Sequence, residues 1–263
     1  MAANAEFQRV GLSGWRTGLA NLLHKENRAW WASRRWLVQT LLWTALMNGT
    51  VALNMFLDGV SQDSVFIAIA QLFQMGGLAL PVGAVLLAHA ETVNERQLGV
   101  TEWLLSKPVS RTAYVLSKLF AHGFGVLVIL VALQGALAYG LAWLAIGEPF
   151  PVLPYLVGMA GLAVHTLFYL ALTLMMGVLT ANRALLLGVS LGVHFGGVMA
   201  IGLLGKFLGN FALVTPWSLF QVLPAAALGV PLPVPIWVPI GVTAVLLAVV
   251  VAVAVARFER LEF

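Results

Sequence analysis

Glu91 and Glu95 stand one helical turn apart, a spacing that puts two carboxylates on one helical face, where they could work as an acid and base pair. Both lie beside Arg96 at the edge of a long apolar run, and carboxylates there are far more often solvated or ion-paired than catalytic. The five histidines, His24, His89, His122, His165 and His194, are isolated in sequence, and none forms the H-E-x-x-H pair of a zinc protease. Met75, Met175, Met176 and Met199 would suit a copper path. Without a Met-x-x-Met repeat or a histidine cluster they read as gap fillers, and no metal site is expected. Zero cysteines exclude disulfides, thiolate metal sites and a cysteine nucleophile. No G-x-x-x-x-G-K-[ST] loop occurs, since Gly205-Lys206 lacks both the upstream glycine and the following Ser or Thr.

The densest polar chemistry is one island, ETVNERQLGVTEWLLSKPVSRTAYVLSK, from Glu91 to Lys118, which holds seven charged residues between long uncharged stretches. Glu95 and Arg96 fall on helical turns that continue the preceding run, and Gly99 permits a bend. Thr101 is expected to N-cap a short helix with Glu102 in its first turn, where a carboxylate complements the helix dipole. Trp103, Leu104 and Leu105 then present apolar surface in a loop that should be wet. Pro108 ends this helix and Ser110 is placed to cap the next, just before Arg111. A short helix bracketed by breaks and apolar on its wet side has the shape of a docking element.

The elements that must position this island are membrane helices. With 61% hydrophobic and 9% charged residues and a mean hydropathy of +0.95, the 263-residue chain has more apolar surface than one soluble core could hide. A membrane-spanning helix needs about 20 apolar residues. Six charge-free runs satisfy this: Leu37 to Leu57, Ser64 to Ala90, Leu119 to Gly147, Tyr155 to Thr180, Ala184 to Gly205 and Ile236 to Ala256. They lack the alternation of a barrel strand, so the expected fold is an all-α bundle of six spans. Inside the spans Asn48, Asn54, Gln71, Gln74, Gln134, His165 and His194 are costly in lipid and should face protein or a cavity. Asn48, Gln71, Gln74, His165 and His194 are therefore candidates to line a pathway.

Thirteen of the fourteen Lys and Arg residues fall on one side of this pattern, with Lys206 alone on the other. Basic loops stay on the cytoplasmic side during insertion, which predicts a multi-pass plasma (inner) membrane protein with both termini in the cytoplasm. The basic residues are divided among short loops, a topology and headgroup signal rather than a nucleic-acid patch. The first thirty-odd residues are too polar for a signal peptide, so the first span should direct insertion. Residues 1–36 read as a cytoplasmic segment with an interfacial helix from Trp15 to Trp36. In it Leu19, Leu22, Leu23 and Trp30 oppose Asn21, His24, Lys25 and Arg28; a basic flank that only sets topology is the alternative. Residues 37–256 form the six-span domain and 257–263 a cytoplasmic tail. The apolar stretch from Lys206 to Pro235, with Pro216, Pro224, Pro231, Pro233 and Pro235, suits short broken helices dipping into the outer leaflet better than a seventh span.

The string Glu95-Arg96, Gly99-Val100-Thr101-Glu102, Leu104-Leu105, Pro108-Val109-Ser110-Arg111 and Tyr114 to Lys118 resembles the cytoplasmic loop between spans two and three in permeases of type-two ATP-binding cassette (ABC) transporters. Val100, between Gly99 and Thr101, is a departure from the usual Gly-Thr. The resemblance implies an amphipathic elbow helix, six spans, and a re-entrant outer segment between spans five and six. It also makes the loop a coupling helix seated in a separate ATP-binding subunit, with Glu95, Arg96, Gly99, Thr101, Glu102, Trp103, Leu104, Leu105, Pro108 and Arg111 at the contact. ATP and magnesium would then sit on that partner and no cofactor on this chain, which would be a transport subunit without its own ATPase site. The implied assembly pairs two permease subunits, as a homodimer or heterodimer in membrane lipid, and works as an exporter. A non-transporting membrane scaffold or sensor that borrows the same docking loop is the alternative. An intramembrane enzyme would need a dense polar cluster at mid-span, which the sequence does not display.

Overall fold

The computed structural model describes residues 14–57 and 59–260, with the side chains of Ala90, Glu91 and Thr92 outside the described residues. The acid and base pairing of Glu91 with Glu95 therefore falls outside what is described. Every regular element among the described residues is helical. An interfacial helix α1 (Leu19–Trp31) is followed by six helices long and apolar enough to cross a membrane. These are α2 (Arg35–Phe56), α3 (Gln62–Gln97), α5 (Arg111–Ile146), α6 (Val152–Leu179), α7 (Arg183–Leu208) and α9 (Trp237–Glu259). Between them lie two short helices, α4 (Val100–Leu105) and α8 (Leu219–Ala227).

Local sequence sets the ends. Ser61 accepts from the Ser64 amide and Ser64 reciprocates, a capping box that starts α3 with Asp63 in its first turn. Ser110 Oγ accepts from the Ala113 amide and Asn182 Oδ1 from the Leu185 amide, starting α5 and α7. The spans are longer than the uncharged runs. α3 has 36 residues, about 54 Å of helix against roughly 30 Å of hydrocarbon. Its last turns, with the first turns of α5, carry the polar island beyond the apolar zone on the basic side.

α6 is the most buried span and forms the centre, packed on α3, α8 and α9. α2, α7 and α9 leave most of their surface uncovered by the chain itself. The proline-rich stretch folds as two 3₁₀ turns (Gly209–Val214 and Pro216–Ser218) and α8, with Pro224 inside that helix rather than ending it. Leu219, Val222, Leu223, Ala226 and Ala227 bury α8 against α3 and α6. Gly77 makes this approach feasible, because a Cβ there would meet the backbone of Phe220. The interfacial helix is shorter than Trp15 to Trp36: Ala32–Arg34 breaks the chain direction and α2 starts at Arg35. Lys25 and Glu26 of α1 face the protein. Glu26 is buried beside Leu22, so the polar side of α1 is partly its packing side.

Candidate functional site

At the basic end α1, α3 and α5 converge on a partly buried ion cluster. Glu95, in the last turns of α3, accepts from Lys25 Nζ at 2.7 Å and from the Tyr114 hydroxyl at 2.7 Å, and pairs with Lys118 Nζ at 2.9 Å. Lys118 also reaches Glu26 Oε1 at 3.2 Å, and Lys25 meets the same oxygen at 3.1 Å. Lys118 is 1% exposed and Glu26 4%. Two ammonium groups and two carboxylates leave the cluster neutral, which lets Lys118 and Glu26 be buried while Lys25, 41% exposed, keeps contact with solvent. Burial alone would disfavour a charged Lys25, but the Glu95 hydrogen bond and the Glu26 charge more than offset it, and its pKa is raised. Sequence reading named Glu95 as a contact to the ATP-binding subunit and Lys118 only as the end of the loop motif, and it did not single out Glu26. A buried-side Glu on an amphipathic helix was the available signal.

The rest of the island closes helix ends. Arg96 Nη1 donates to the carbonyls of Gly177 at 3.3 Å and Val178 at 2.8 Å, which the end of α6 leaves unpaired. Gln97 donates to the Ala181 carbonyl at 3.1 Å. Arg111 does the same for α9, donating to the Glu259 carbonyl at 2.7 Å and the Phe258 carbonyl at 3.4 Å. Tyr114 stacks on Phe258 with centroids 4.9 Å apart. The two arginines thus fasten α3 to α6 and α5 to α9, and neither guanidinium is spent on solvent alone.

The cap of α4 is Gly99 rather than Thr101. Gly99 takes φ +68°, a left-handed conformation that suits glycine, and the Trp103 amide bonds its carbonyl at 3.1 Å. Thr101 is fully buried with its hydroxyl 3.3 Å from that of Tyr114. Leu104 also turns inward, against Leu22, Ala113, Tyr114 and Phe258, and Leu105 is half-buried. Of the three apolar residues expected on the outside, only Trp103 is well exposed, at 61%, with Lys107 Nζ 5.3 Å from its ring centroid. Glu102 and Pro108 are exposed beside it.

Inside the membrane zone the polar residues meet helix irregularities. Asn48 Nδ2 donates to Gln134 Oε1 at 2.7 Å, and Gln134 Nε2 donates to the Ile129 carbonyl at 3.0 Å and to Thr44 Oγ1 at 3.3 Å. Both sides of this pair carry a π-helical segment, Thr44–Asn48 in α2 and Leu127–Ala132 in α5. Pro81, inside α3, has no N–H for the Gly77 carbonyl; His165 Nε2 donates to that oxygen at 3.0 Å. His194 Nε2 donates to the next carbonyl, Leu78, at 3.0 Å. The two imidazoles, isolated in sequence, lie 6.3 Å apart by ring centroids, with Tyr169 against both. Of the pathway candidates, Asn48, His165 and His194 are buried within the chain, Gln71 is half-buried and Gln74 is exposed. The described residues hold no group of three metal-ligating side chains.

A family model described as ABC-2 family transporter protein matches residues 20–263, nearly the whole chain. The chain belongs to the ABC-2 transporter family. It is a multi-pass membrane protein with the architecture of an ABC permease subunit. Against curated proteins the sequence gives no significant match. In this ABC-2 protein the matched region begins at the second residue of α1, so nearly all of that helix, the ion cluster that holds it and all six spans fall inside the family's extent.

Proposed function

We propose that this chain is the permease subunit of an ATP-driven exporter, that two permease subunits form the pathway, and that α4 docks on a separate ATP-binding subunit carrying ATP and magnesium. The observation that carries the reading is Trp103: an exposed aromatic on a short helix whose Thr101 and Leu104 are packed inward beside a partly buried ion cluster. Such an element transmits displacement rather than absorbing it, because moving α4 strains Thr101, Tyr114 and the charges behind them. The division of Lys and Arg supports a cytoplasmic α4 and cytoplasmic termini in a plasma-membrane protein. Exposed Gln74 near the middle of α3, together with the uncovered faces of α2, α7 and α9, supports pairing of two subunits around a shared path. The spans carry no charge at mid-depth, which favours an amphiphilic or apolar cargo over a strongly charged ion.

Trp103 tests the docking, whereas Leu104 cannot, since replacing it would damage the chain's own packing. Trp103→Ala should weaken capture of the ATP-binding subunit by on the order of 2 kcal/mol, about 30-fold in affinity, with membrane insertion unchanged. Substrate-stimulated ATP turnover in the reconstituted complex separates a transporter from a scaffold. Full ATPase capture by both Trp103→Ala and Trp103→Asp would remove α4 from the interface.

A further inference from the structure

Just ahead of α1, Trp15 is a second outlying aromatic on the basic side, 49% exposed, with the Arg16 guanidinium carbon 4.7 Å from its ring centroid. We propose that the turn from Gly14 to Gly18 and α4 form one composite docking surface, on which Trp15 engages the same ATP-binding subunit as Trp103. The inference rests on the α4 docking reading and adds a second anchor to it.

The two aromatics are fastened together through the chain between α4 and α5. Ser110 Oγ donates to the Trp15 carbonyl at 2.6 Å, and the Ser110 amide to the Thr17 carbonyl at 3.0 Å. Gly18, at φ +79°, lets Val109 close on the turn; a Cβ there would stand 2.8 Å from Val109 Cγ2. Lys107, whose ammonium lies over the Trp103 ring, is three residues before Ser110, at most about 11 Å of chain. Each tryptophan therefore carries its own exposed cation, Arg16 on Trp15 and Lys107 on Trp103, and the same short loop holds both. Such a surface fits a partner face with apolar notches rimmed by Asp and Glu. Tryptophan and arginine are also the side chains that most often carry binding energy at an interface.

Depth separates Trp15 from the tryptophans that can rest in headgroups. α1 stands beside the start of α5 and reaches the membrane interface at its C-terminal end. Gly18 meets Val109, Glu26 reaches Lys118 at 3.2 Å, the Trp30 ring lies 5.4 Å from that of His122, and Trp31 packs on Phe124 at 6.1 Å. Ser110, which holds Trp15, is nine residues before the uncharged run that starts at Leu119. That is about 13 Å of helix, and about 10 Å of depth even at a tilt of about 40°. A headgroup layer is roughly 5 to 8 Å thick. Trp15 is therefore beyond it, beside α4. The outer side of α1, with Asn21, His24 and Arg28, exposes no large apolar side chain that lipid could hold.

The test measures capture of the purified ATP-binding subunit by the full-length chain in nanodiscs containing phosphatidylglycerol, for Trp15→Ala, Trp103→Ala and the double variant. Trp15→Ala should weaken capture by roughly tenfold, and the double variant should lose more than Trp103→Ala alone. Ser110 is held by the carbonyl of residue 15, which alanine keeps, so the variant retains the contact between the turn and α5. Capture by Trp15→Ala within about twofold of the parent chain, alongside a loss in Trp103→Ala, would overturn this inference and leave α4 docking standing. Loss in neither would overturn both, and loss in Trp15→Ala alone would remove α4 and with it the composite surface. A second measurement decides depth. The chain has no cysteine, so a nitroxide attached at Arg16→Cys reports from that position alone. In vesicles of phosphatidylcholine and phosphatidylglycerol it should collide with a water-soluble nickel chelate in preference to membrane oxygen, and the bound ATP-binding subunit should shield it from the chelate. Preferential collision with oxygen would overturn the inference and assign Trp15 to the headgroups. A label left unshielded by the bound subunit would place the turn outside the interface.

Discussion

The basic end and the membrane interior both bury polar side chains, and they do so by opposite means. At the basic end Lys25, Glu26, Glu95 and Lys118 keep full charges and satisfy one another within 3.2 Å. In the interior Asn48, Gln134, His165 and His194 are amides and imidazoles that use backbone oxygens or each other. The difference follows from solvation. Near the headgroups a pair of opposite charges can be assembled before the last water leaves, whereas at mid-span an unpaired charge would face hydrocarbon during insertion. The interior therefore takes groups whose unsatisfied state is bearable, and pays with helix irregularity: a proline at position 81 and two π segments supply the oxygens.

Removing one member of the charged cluster is the harshest way to break this comparison. Lys118→Met leaves Glu26 and Glu95 with Lys25 as their only ammonium partner, and should destabilise the fold by about 3 to 5 kcal/mol. Unfolding of the chain in mixed micelles measures it. A loss below about 1 kcal/mol would mean that water reaches Lys118 and Glu26 as it already reaches Lys25.

The interior should respond less. Gln134→Leu strands the Asn48 amide and should cost about 1 to 3 kcal/mol in the same assay, below the Lys118 effect. If the order reversed, the interior amide pair and not the ion cluster would be the main polar clamp of the bundle.

The smallest effect is a coupling. His165→Leu leaves the Gly77 carbonyl without a donor, but in a Pro81→Ala background residue 81 regains an N–H for the same oxygen. The cost of His165→Leu should therefore shrink by on the order of 1 kcal/mol when Pro81 is replaced, an interaction that a double-mutant cycle isolates. Additive losses would assign His165 to packing against Tyr169 instead.

What the sequence determined by itself is what short-range rules control. Uncharged runs fixed six spans, because hydrocarbon thickness demands about twenty apolar residues whatever the neighbours are. Ser110 as a cap, Gly99 as a bend and Pro108 after a short helix follow from backbone sterics and one hydrogen bond each. The motif around Pro108-Val109-Ser110-Arg111 carried the family. What only tertiary structure decided is which way each polar or apolar side chain points. Leu104 and Trp103 are adjacent and both carry large apolar side chains, yet one is 9% and the other 61% exposed, because Leu22 of α1, Tyr114 of α5 and Phe258 of α9 cover one side of α4. Glu26 and Lys118 are 92 positions apart, and His194 and Leu78 are 116, so no local pattern joins them. Their pairing exists because long helices, once packed at fixed register, bring particular turns to one level, and a buried charge or N–H must find its partner there or go without.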